Sequence, residues 1–468
     1  MGKNMATLPV QDQSKSKQKP LTTVSTNKPP NSSVPLTVKP IVVNVFFDGT
    51  KNNMYNIDYY QRSTRDTQRK IDQNKDMESY RNAYSNVAHL FTQQYNENKD
   101  NIWVYVEGMG TEKYNNDDTR GFAAGSGKTG IVARASQAFS LIQERYKKFN
   151  DRNQKPSIII FNVFGFSRGA ATARHFVGMV KNYPHFFKGW GLSAAQMTFR
   201  FVGIFDTVSS FQPVWPSKPN FYNDNKELYL DFSSLNAQDK KNIKVFHIVA
   251  ADEYREYFDL TDITLALKEK FGFEVTMNGA HSDIGGSYPD GKGDEYAITT
   301  NKLKKWFIEQ GFYFENDIRP LSYPLPPSSI SQDYQARRPA KDTEKNITGI
   351  PFDYHKIPLK TMRLMAQKFA LIQFKQTIVD YENDGLIGIL KELINRHPST
   401  VMSKVSWGGK LDLRLTNREQ VRNLRHQFLH WSAQKFFGDP GSYYGLGRNV
   451  GYSIRLKNDL PYREVHHA

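Results

Sequence analysis

The stretch that decides the fold is SIIIFNVFGFSRGAATARHFVGMV, residues 157–180. It begins with a strongly apolar run, 157–164, of the kind that forms a buried strand. The pattern G-x-S-x-G follows over 165–169, and the residues as far as 182 are compatible with a helix. Small residues on both sides of a serine permit the tight strand-to-helix turn on which a hydrolase presents its nucleophile. The stretch therefore predicts that Ser167 is a nucleophile; the alternative is a glycine turn with an inert serine.

Similar apolar runs recur along the first 300 residues. They lie at 41–47, 102–106, 199–205, 243–250 and 273–277. Their apolar character is continuous rather than alternating, as strands that are buried on both faces require. Segments with helical spacing, including 129–148 and 168–182, separate the runs in the way that crossover connections do. This order predicts an α/β fold of the α/β-hydrolase-like type, a mostly parallel sheet flanked by helices.

The composition divides the chain into three parts. Residues 1–39 are rich in Lys, Pro, Ser, Thr and Gln, and we predict a disordered tail. Residues 40–299 carry the β-α-β pattern and form the predicted catalytic domain. Residues 300–468 are predicted to be mainly helical and to pack on the catalytic domain, rather than to form a second sheet. The helical segments expected there lie at 298–310, 359–395 and 416–437.

The residue totals narrow the classes of function. The 468 residues include 63 Lys plus Arg against 47 Asp plus Glu, a formal net charge of +16 that favours contact with polyanions. The basic residues are dispersed and form no nucleic-acid-binding motif, so we expect no nucleic-acid partner. The absence of cysteine excludes disulfides and cysteine-bound metals. The N-terminus lacks the apolar segment of a secretory signal, which predicts either retention in the cell or export by a dedicated machine.

An acid and a base follow Ser167 in the chain order that α/β-hydrolases use. Asp206 closes the apolar run 199–205, where a carboxylate at a strand end can accept a hydrogen bond from an imidazole. His281 lies in the small-residue loop 278–286, directly after another apolar run. We therefore predict the catalytic residues Ser167, Asp206 and His281. The rivals are Asp283 as the acid and, as the base, His247, His430 and His426.

Backbone amides must hold the oxyanion that forms during acyl transfer. One candidate is the N–H of Arg168, the residue after the nucleophile. The second should come from the turn after the first strand, where Gly49 and Thr50 follow Asp48. A plain Asp-Gly turn with no catalytic part explains the same residues equally well.

Two further patterns point away from cofactors. The stretch GFAAGSGKT at 121–129 resembles a phosphate-binding loop, but it has one residue too many between its glycines and follows no apolar strand. We therefore expect no nucleotide and no cofactor. Oxygen ligands for a divalent ion are present, but none has the spacing of a known Ca²⁺ loop, and we predict no metal. These residues are Asp48, Asp252, Glu253 and Asp283.

Five segments together resemble one family of hydrolases. They are FDGTKNN at 47–53, VEGMGT at 106–111, GFSRGA at 165–170, FDTV at 205–208 and HSDIGG at 281–286. In this order they are similar to the type VI secretion lipase effectors, a phospholipase family built on an α/β-hydrolase domain. HIVAADEYR at 247–255 is a weaker similarity, and the resemblance covers about residues 41–290. Glu107 and Met109 depart from the family pattern, which has Pro and a small aliphatic residue there.

The resemblance implies that Ser167, Asp206 and His281 cleave carboxylic esters of membrane phospholipids, as phospholipases of type A do. It also implies synthesis in the bacterial cytoplasm, delivery on a type VI secretion spike protein, toxicity in the periplasm of a target bacterium, and a cognate immunity protein. Two alternatives stay open. The same fold could act on soluble esters or peptides, because a triad only activates serine. A non-catalytic module could instead bind a membrane or a partner, with Ser167 inert.

Overall fold

The computed structural model describes residues 40–95, 97–118, 125–149, 156–183, 187, 190, 192–211, 228–298, 300–320, 334–375, 385–433 and 454–468. The tail predicted at 1–39 lies outside the described residues. The described residues belong to one compact unit. Within the described ranges, no helix is both long and apolar enough to cross a membrane.

The strands alternate with helices along the first 300 residues and continue into the C-terminal region. The strands are β1 (Ile41–Phe47), β2 (Asn101–Val106), β3 (Ile159–Phe166), β4 (Met197–Phe205), β5 (Lys244–Ala250), β6 (Leu260–Thr261), β7 (Gly272–Met277), β8 (Asp294–Ile298), β9 (Ile318–Pro320), β10 (Tyr334–Arg338), β11 (Lys410–Asp412), β12 (Leu456–Lys457), β13 (Leu460–Pro461) and β14 (Val465–His466). The six strands predicted from the apolar runs are β1 to β5 and β7, and each observed end lies within two residues of the prediction.

The helices range from one turn to five. The α-helices are α1 (Met54–Arg62), α2 (Arg65–Gln73), α3 (Asn86–Thr92), α4 (Ile131–Phe149), α5 (Arg168–Asn182), α6 (Ala237–Asn242), α7 (Thr264–Lys268), α8 (His281–Gly285), α9 (Asn301–Gln310), α10 (Lys356–Met365), α11 (Ile389–Lys404) and α12 (Arg418–Phe428). Short 3₁₀ turns lie at Lys75–Tyr80, Gly127–Thr129, Ala194–Gln196, Glu315–Asp317 and Phe352–His355, and one π turn lies at Ala366–Ala370.

Seven strands form the central sheet, in the order β11-β7-β5-β4-β3-β1-β2. Every pairing between these neighbours is parallel. Parallel strands of this kind need helices on both faces, and the predicted α/β-hydrolase-like fold is confirmed. The C-terminal ends of the strands meet at one edge of the sheet, which is where ligands bind in folds of this class.

Two hydrophobic clusters cover the two faces of the sheet. Val43, Val45 and Phe47 of β1 point into the first cluster, together with residues of α4 and α5. Phe46 points into the second cluster, which includes residues of α3, α10 and α11. Because both faces are covered, each strand carries apolar residues continuously, and this is the pattern that the sequence shows.

The region after residue 300 contains strands as well as helices. β11 extends the central sheet at its edge, and β9 and β10 join β8, which precedes residue 300, in a small antiparallel sheet. The expectation of helices without a second sheet was therefore wrong in this respect. The helices α10 and α11 pack their apolar residues in the same cluster as the strands of the central sheet, so this region supplies one of the two helical layers.

The helices predicted in this region are shorter than expected. α9 begins at Asn301, because the Thr300 side chain accepts the N–H of Leu303 and caps it. The segment predicted at 359–395 is interrupted: α10 gives way to a π turn, and Leu371 then adopts a left-handed conformation with φ 58°. Residues 376–384 lie outside the described part of the chain. α12 ends at Phe428. Residues 429–433 are therefore not helical, although the sequence predicted a helix over 416–437.

Candidate active site

Ser167 lies between the end of β3 and the start of α5. Its backbone has φ 60° and ψ −129°, in the left-handed half of conformational space. Such a conformation costs a non-glycine residue about 1–3 kcal/mol, and its surroundings must hold it. The Ser167 N–H donates to the carbonyl of Phe205 at 3.1 Å, which ties this turn to the end of the neighbouring strand β4. The sequence motif thus folds into a strained turn of the type that a nucleophile elbow requires.

The two glycines of the motif are required by close approach of the backbone. A Cβ atom on Gly165 would lie 2.5 Å from the carbonyl oxygen of Gly169. A Cβ atom on Gly169 would collide with the carbonyl oxygens of Phe47 and Asp48. The absence of side chains therefore lets the elbow close, and it brings the turn after β1 against the start of α5.

Asp206 and His281 form a buried pair at the ends of β4 and β7. His281 Nδ1 lies 2.5 Å from Asp206 Oδ2, and the side chains are 4% and 0% exposed, respectively. The backbone holds the carboxylate as well, because the N–H of Ala250 donates to Asp206 Oδ1 at 2.9 Å. With Nδ1–H donated to a carboxylate, the lone pair of a neutral imidazole lies on Nε2.

Arg463, near the C-terminus, also binds Asp206. Its two terminal nitrogens donate to Asp206 Oδ1 and Oδ2 at 2.7 and 2.9 Å. Its Nε donates to the carbonyl of Phe258, which fixes the guanidinium. Burial alone would raise the pKa of Asp206, but Arg463 and the hydrogen bond to His281 hold that pKa well below its usual value. Asp206 is therefore a carboxylate at neutral pH.

His281 faces a cavity of about 140 Å³ that Ser167 also lines. Within the described residues, its Nε2 atom is buried and has no hydrogen-bond partner. Burial lowers the pKa of His281 below its ordinary value of 6.5, although the carboxylate of Asp206 opposes the effect. The ring of Phe166, the residue before the serine, lies 4.6 Å from the His281 ring between centroids. The structure thus brings Ser167, Asp206 and His281 to one edge of the sheet.

Two acids after β5 hold the backbone of the His281 loop. Asp252 accepts the N–H of Gly279 at 2.8 Å, and Glu253 accepts the N–H of His281 at 3.2 Å. Burial alone would raise the pKa of Glu253, but its ion pair with Arg255 lowers it to about 2. These acids lie in the segment 247–255, which the sequence showed only as a weak family similarity. They support the loop, and no metal role is needed to explain them.

The oxyanion candidates differ in their availability. The Gly49 N–H donates to the side chain of its neighbour Asp48 at 2.7 Å, so this amide is already engaged. Asp48 also accepts the hydroxyls of Ser85 and Tyr105 at 2.5 and 2.6 Å, and burial raises its pKa to about 6. Thr50 lines the cavity and no described group bonds its N–H. Of the two amides predicted for this turn, the Thr50 N–H is therefore the available one, and its catalytic role stays a prediction.

Arg168 connects the elbow to the turn after β1. As the first residue of α5, its N–H has no carbonyl within the helix to bond. Its side-chain Nε donates to Thr50 Oγ1 at 2.8 Å. The N–H groups predicted for the oxyanion thus belong to two segments, and a side-chain hydrogen bond joins these segments.

The rival histidines lie in different surroundings. His247 is fully buried in β5, where its Nε2 accepts the N–H of Thr207 at 3.1 Å and its Nδ1 lies 3.1 Å from Glu274. His426 is bound to Asp317 and stacks on a phenylalanine ring. Neither of them is among the described residues that line the cavity. Their hydrogen bonds explain them as structural residues.

The rivals Asp283 and His430 form a second pair, of which His430 lines the same cavity. His430 Nδ1 lies 2.7 Å from Asp283 Oδ1, and the His430 N–H donates to Asp283 Oδ2 at 3.0 Å. The expectation that His430 sits on a helix with His426 was wrong, because α12 ends at Phe428. His430 follows that end, lines the cavity and, within the described ranges, has an unpartnered buried Nε2.

The glycine-rich loop and the acidic residues that could bind a metal form ion pairs within the protein. Lys128 of the glycine-rich loop forms an ion pair with Glu112, and residues 121–124 of that loop lie outside the described residues. Among the described residues, one group could offer three metal ligands, with ligand atoms within 4.8 Å of one another. It consists of Asp259, Glu464 and His466. Arg455 forms ion pairs with both acids of this group, so a cation already neutralises them.

The parallel sheet, the left-handed serine after β3, and the later aspartate and histidine define the chain as an α/β-hydrolase-like protein. A family model described as type VI secretion system phospholipase effector Tle1-like, catalytic domain, matches residues 40–189 and 185–310. The match covers more than half of the chain, which therefore belongs to the Tle1-like phospholipase effectors of type VI secretion. The family predicted from the five segments is confirmed, and the chain is a hydrolase of the lipase class.

Two solved structures are similar to the chain. One is described as the structure of the Tle1 effector bound to the VgrG spike from the type 6 secretion system; it has 20% sequence identity, a TM-score of 0.57, and covers 92% of this chain and 94% of that one. The other, an uncharacterized protein from Pseudomonas aeruginosa, has 15% identity and a TM-score of 0.39, with 79% and 54% covered. A comparison with curated proteins gives no match. The first similarity agrees with the fold.

Proposed function

We propose that the protein is a serine esterase that cleaves carboxylic esters of membrane phospholipids. The observation that carries this proposal is the pair of His281 and Asp206: His281 lines the cavity that Ser167 also lines, and its Nε2 atom has no partner among the described residues. Neither the strained serine turn nor the buried aspartate is needed for a merely structural loop. Their combination supplies a nucleophile, a base and an orienting acid at one place.

The proposed reaction has two steps. His281 Nε2 takes the proton of Ser167 Oγ as the oxygen attacks the ester carbonyl carbon, and the amides of Arg168 and Thr50 hold the resulting oxyanion. The imidazolium then gives its proton to the departing lysophospholipid alcohol, which leaves an acyl group on Ser167. Water activated by His281 hydrolyses this acyl enzyme and releases a fatty acid. Asp206 keeps the imidazole in the correct tautomer throughout.

Membership of the family supports a phospholipid as the substrate and type VI secretion as the route. Because the similar solved Tle1 effector is bound to a VgrG spike, we propose a spike protein as the carrier of this chain. We further propose toxicity in the periplasm of a target bacterium, and a cognate immunity protein in the producer. The net positive charge of the sequence favours anionic lipid surfaces and agrees with such a target.

The substitution Ser167→Ala tests the enzymatic part. We expect it to lower kcat for fatty acid release from phospholipid vesicles at least about 10⁴-fold, because the nucleophile is removed. Ser140→Ala, an exposed serine on α4, is the matched control and should keep the activity of the unaltered protein. Equal activity of the Ser167 variant and the unaltered protein would end the esterase proposal. Release of peptides but of no fatty acid would favour a peptidase instead.

The same two variants test the toxin part. We expect the chain, directed to the periplasm of a bacterium, to stop growth and to lower membrane phospholipid, whereas the Ser167→Ala variant should do neither. The Ser140→Ala variant should remain toxic. Toxicity that survives the loss of Ser167 would favour a non-catalytic module that acts by binding.

A further inference from the structure

A second group of side chains in the cavity has no part in the proposed ester cleavage. Lys292 and His430 both contact Tyr288: the Lys292 ammonium lies 4.3 Å from the centroid of the tyrosine ring, and the His430 ring lies 4.1 Å from it. All three side chains line the cavity that Ser167 and His281 share. A cation and an imidazole therefore lie together beside the reacting groups.

Among the described residues that line the cavity, several charges form ion pairs, whereas Lys292 does not. Arg255 is paired with Glu253, Lys51 with Glu78, and Asp294 with Arg338. Lys292, by contrast, forms no ion pair with any described carboxylate. It is half-buried, and burial lowers its pKa to about 8, which still leaves the ammonium form dominant at neutral pH. Arg168 adds a further positive charge to the wall. The cavity thus offers positive charge to an anion.

His430 adds a buried ring with an unpartnered nitrogen to the lining of the cavity. The residue is 2% exposed, and its Nε2 atom has no partner within the described residues. Because Nδ1 contacts the carboxylate of Asp283, Nε2 is the ring nitrogen that remains for a ligand.

We propose that Lys292 and His430 form a subsite for the phosphodiester group of the lipid substrate. This inference rests on the proposed esterase function. In a glycerophospholipid the phosphate is only a few bonds from the ester carbonyls, so a phosphate subsite must share a cavity with the nucleophile. Charge-assisted hydrogen bonds to phosphate strengthen where water is partly excluded, as it is at this half-buried cation. The subsite selects phospholipids over neutral glycerides.

The substitution Lys292→Met tests the subsite with two soluble esters, dihexanoylphosphatidylcholine and dihexanoylglycerol. The unaltered protein should prefer the phospholipid. The variant should lower the ratio of kcat/KM for phospholipid over glyceride by about 10- to 100-fold, the cost of a lost hydrogen bond to a charged group. Lys292→Arg, which keeps the charge, should restore most of the ratio. Lys305→Met, an exposed lysine on α9, is the matched control and should leave the ratio unchanged.

Three outcomes would overturn the subsite, and each differs from a failure of the esterase proposal. An equal loss of both activities in the Lys292→Met variant would show a structural role. Unchanged activities on both esters would show that phosphate does not bind there. If inorganic phosphate inhibited the unaltered protein but not the variant while both cleaved the two esters alike, the ligand would be the free ion. If the unaltered protein cleaved neither ester, the proposed function itself would fail.

Discussion

Two aspartate–histidine pairs, each with its histidine in the wall of the cavity, look alike in isolation. In each pair a buried imidazole contacts a carboxylate through Nδ1, at 2.5 Å for His281 and Asp206 and at 2.7 Å for His430 and Asp283. In each pair Nε2 is buried and unpartnered within the described chain. An aromatic ring also lies against each histidine, Phe166 in the first and Tyr288 in the second.

The pairs differ in what surrounds them. The carboxylate of Asp206 is bound by Arg463, whereas Asp283 accepts the backbone N–H groups of Ala280 and His430. The first pair adjoins the serine turn through Phe166, whereas the second adjoins the unpaired Lys292 through Tyr288. An aspartate–histidine pair is therefore not a catalytic unit by itself. We infer that the neighbours of each pair determine its role. His281 lies beside the nucleophile and acts as a base, whereas His430 lies beside the Lys292 cation and binds phosphate.

Replacing each histidine by glutamine is the most direct test of whether the two pairs have different roles. His281→Gln should lower kcat roughly 10⁴-fold on both phosphatidylcholine and diacylglycerol, because an amide cannot take the proton of Ser167. His430→Gln should lower kcat/KM by about tenfold, and only on phosphatidylcholine. Steady-state kinetics with the two short-chain esters measure both effects, and circular dichroism confirms that each variant is folded. A 10⁴-fold loss in His430→Gln, with His281→Gln active, would exchange the roles of the two pairs.

A smaller effect is expected from a substitution of Arg463, which binds Asp206 and has no counterpart at Asp283 among the described residues. Arg463→Gln removes the cation that lowers the pKa of Asp206, so the carboxylate acts more strongly on the His281 imidazolium and raises the pKa of His281. The base must be neutral to act. Burial lowers the pKa of His281 in the unaltered protein, and the acid limb of kcat/KM should move to higher pH in the variant. On that limb the variant should be up to about tenfold less active for each unit of the movement.

The pH profile separates this electrostatic role from simple loosening of the C-terminus. Arg463→Lys keeps the positive charge and should keep most of the unshifted profile. Arg319→Gln, which changes an exposed arginine of β9, serves as the control for a lost surface charge. A fall in activity that is equal at all pH values would mean that Arg463 only holds the C-terminal segment in place.

The sequence predicted the central strands well, for a physical reason. Strands covered on both faces must be apolar at every position, and the runs at 41–47 and 199–205 show this property directly. It also predicted Ser167, Asp206 and His281, which the structure brings together because the C-terminal ends of parallel strands share one edge. Their catalytic roles stay predictions. Each of the three residues follows an apolar run in the sequence, and this position was enough to predict that they lie at the same edge of the sheet.

The features that the sequence did not predict depend on contacts between segments that are distant in the chain. Arg463 lies 257 positions from Asp206, and no local pattern marks it. β11 has only three residues, with a polar residue at each end, and it pairs with β7 only because the sheet edge is there. His430 was expected on a helix because its spacing from His426 is helical, but the helix ends two residues earlier. Residues that work through tertiary contacts leave little trace in a single sequence.

The smallest expected effect concerns the oxyanion turn, where Thr50 lines the cavity together with Ser167 and His281. Thr50→Val removes the acceptor of the Arg168 Nε hydrogen bond while the backbone N–H of residue 50 remains. We expect a three- to tenfold lower kcat on the neutral ester, with little change in KM, since one hydrogen bond contributes about 1 kcal/mol. Thr343→Val in an exposed turn should change neither constant. If Thr50→Val raised KM for phosphatidylcholine and left kcat intact, the turn would serve substrate binding, and the oxyanion would need another donor.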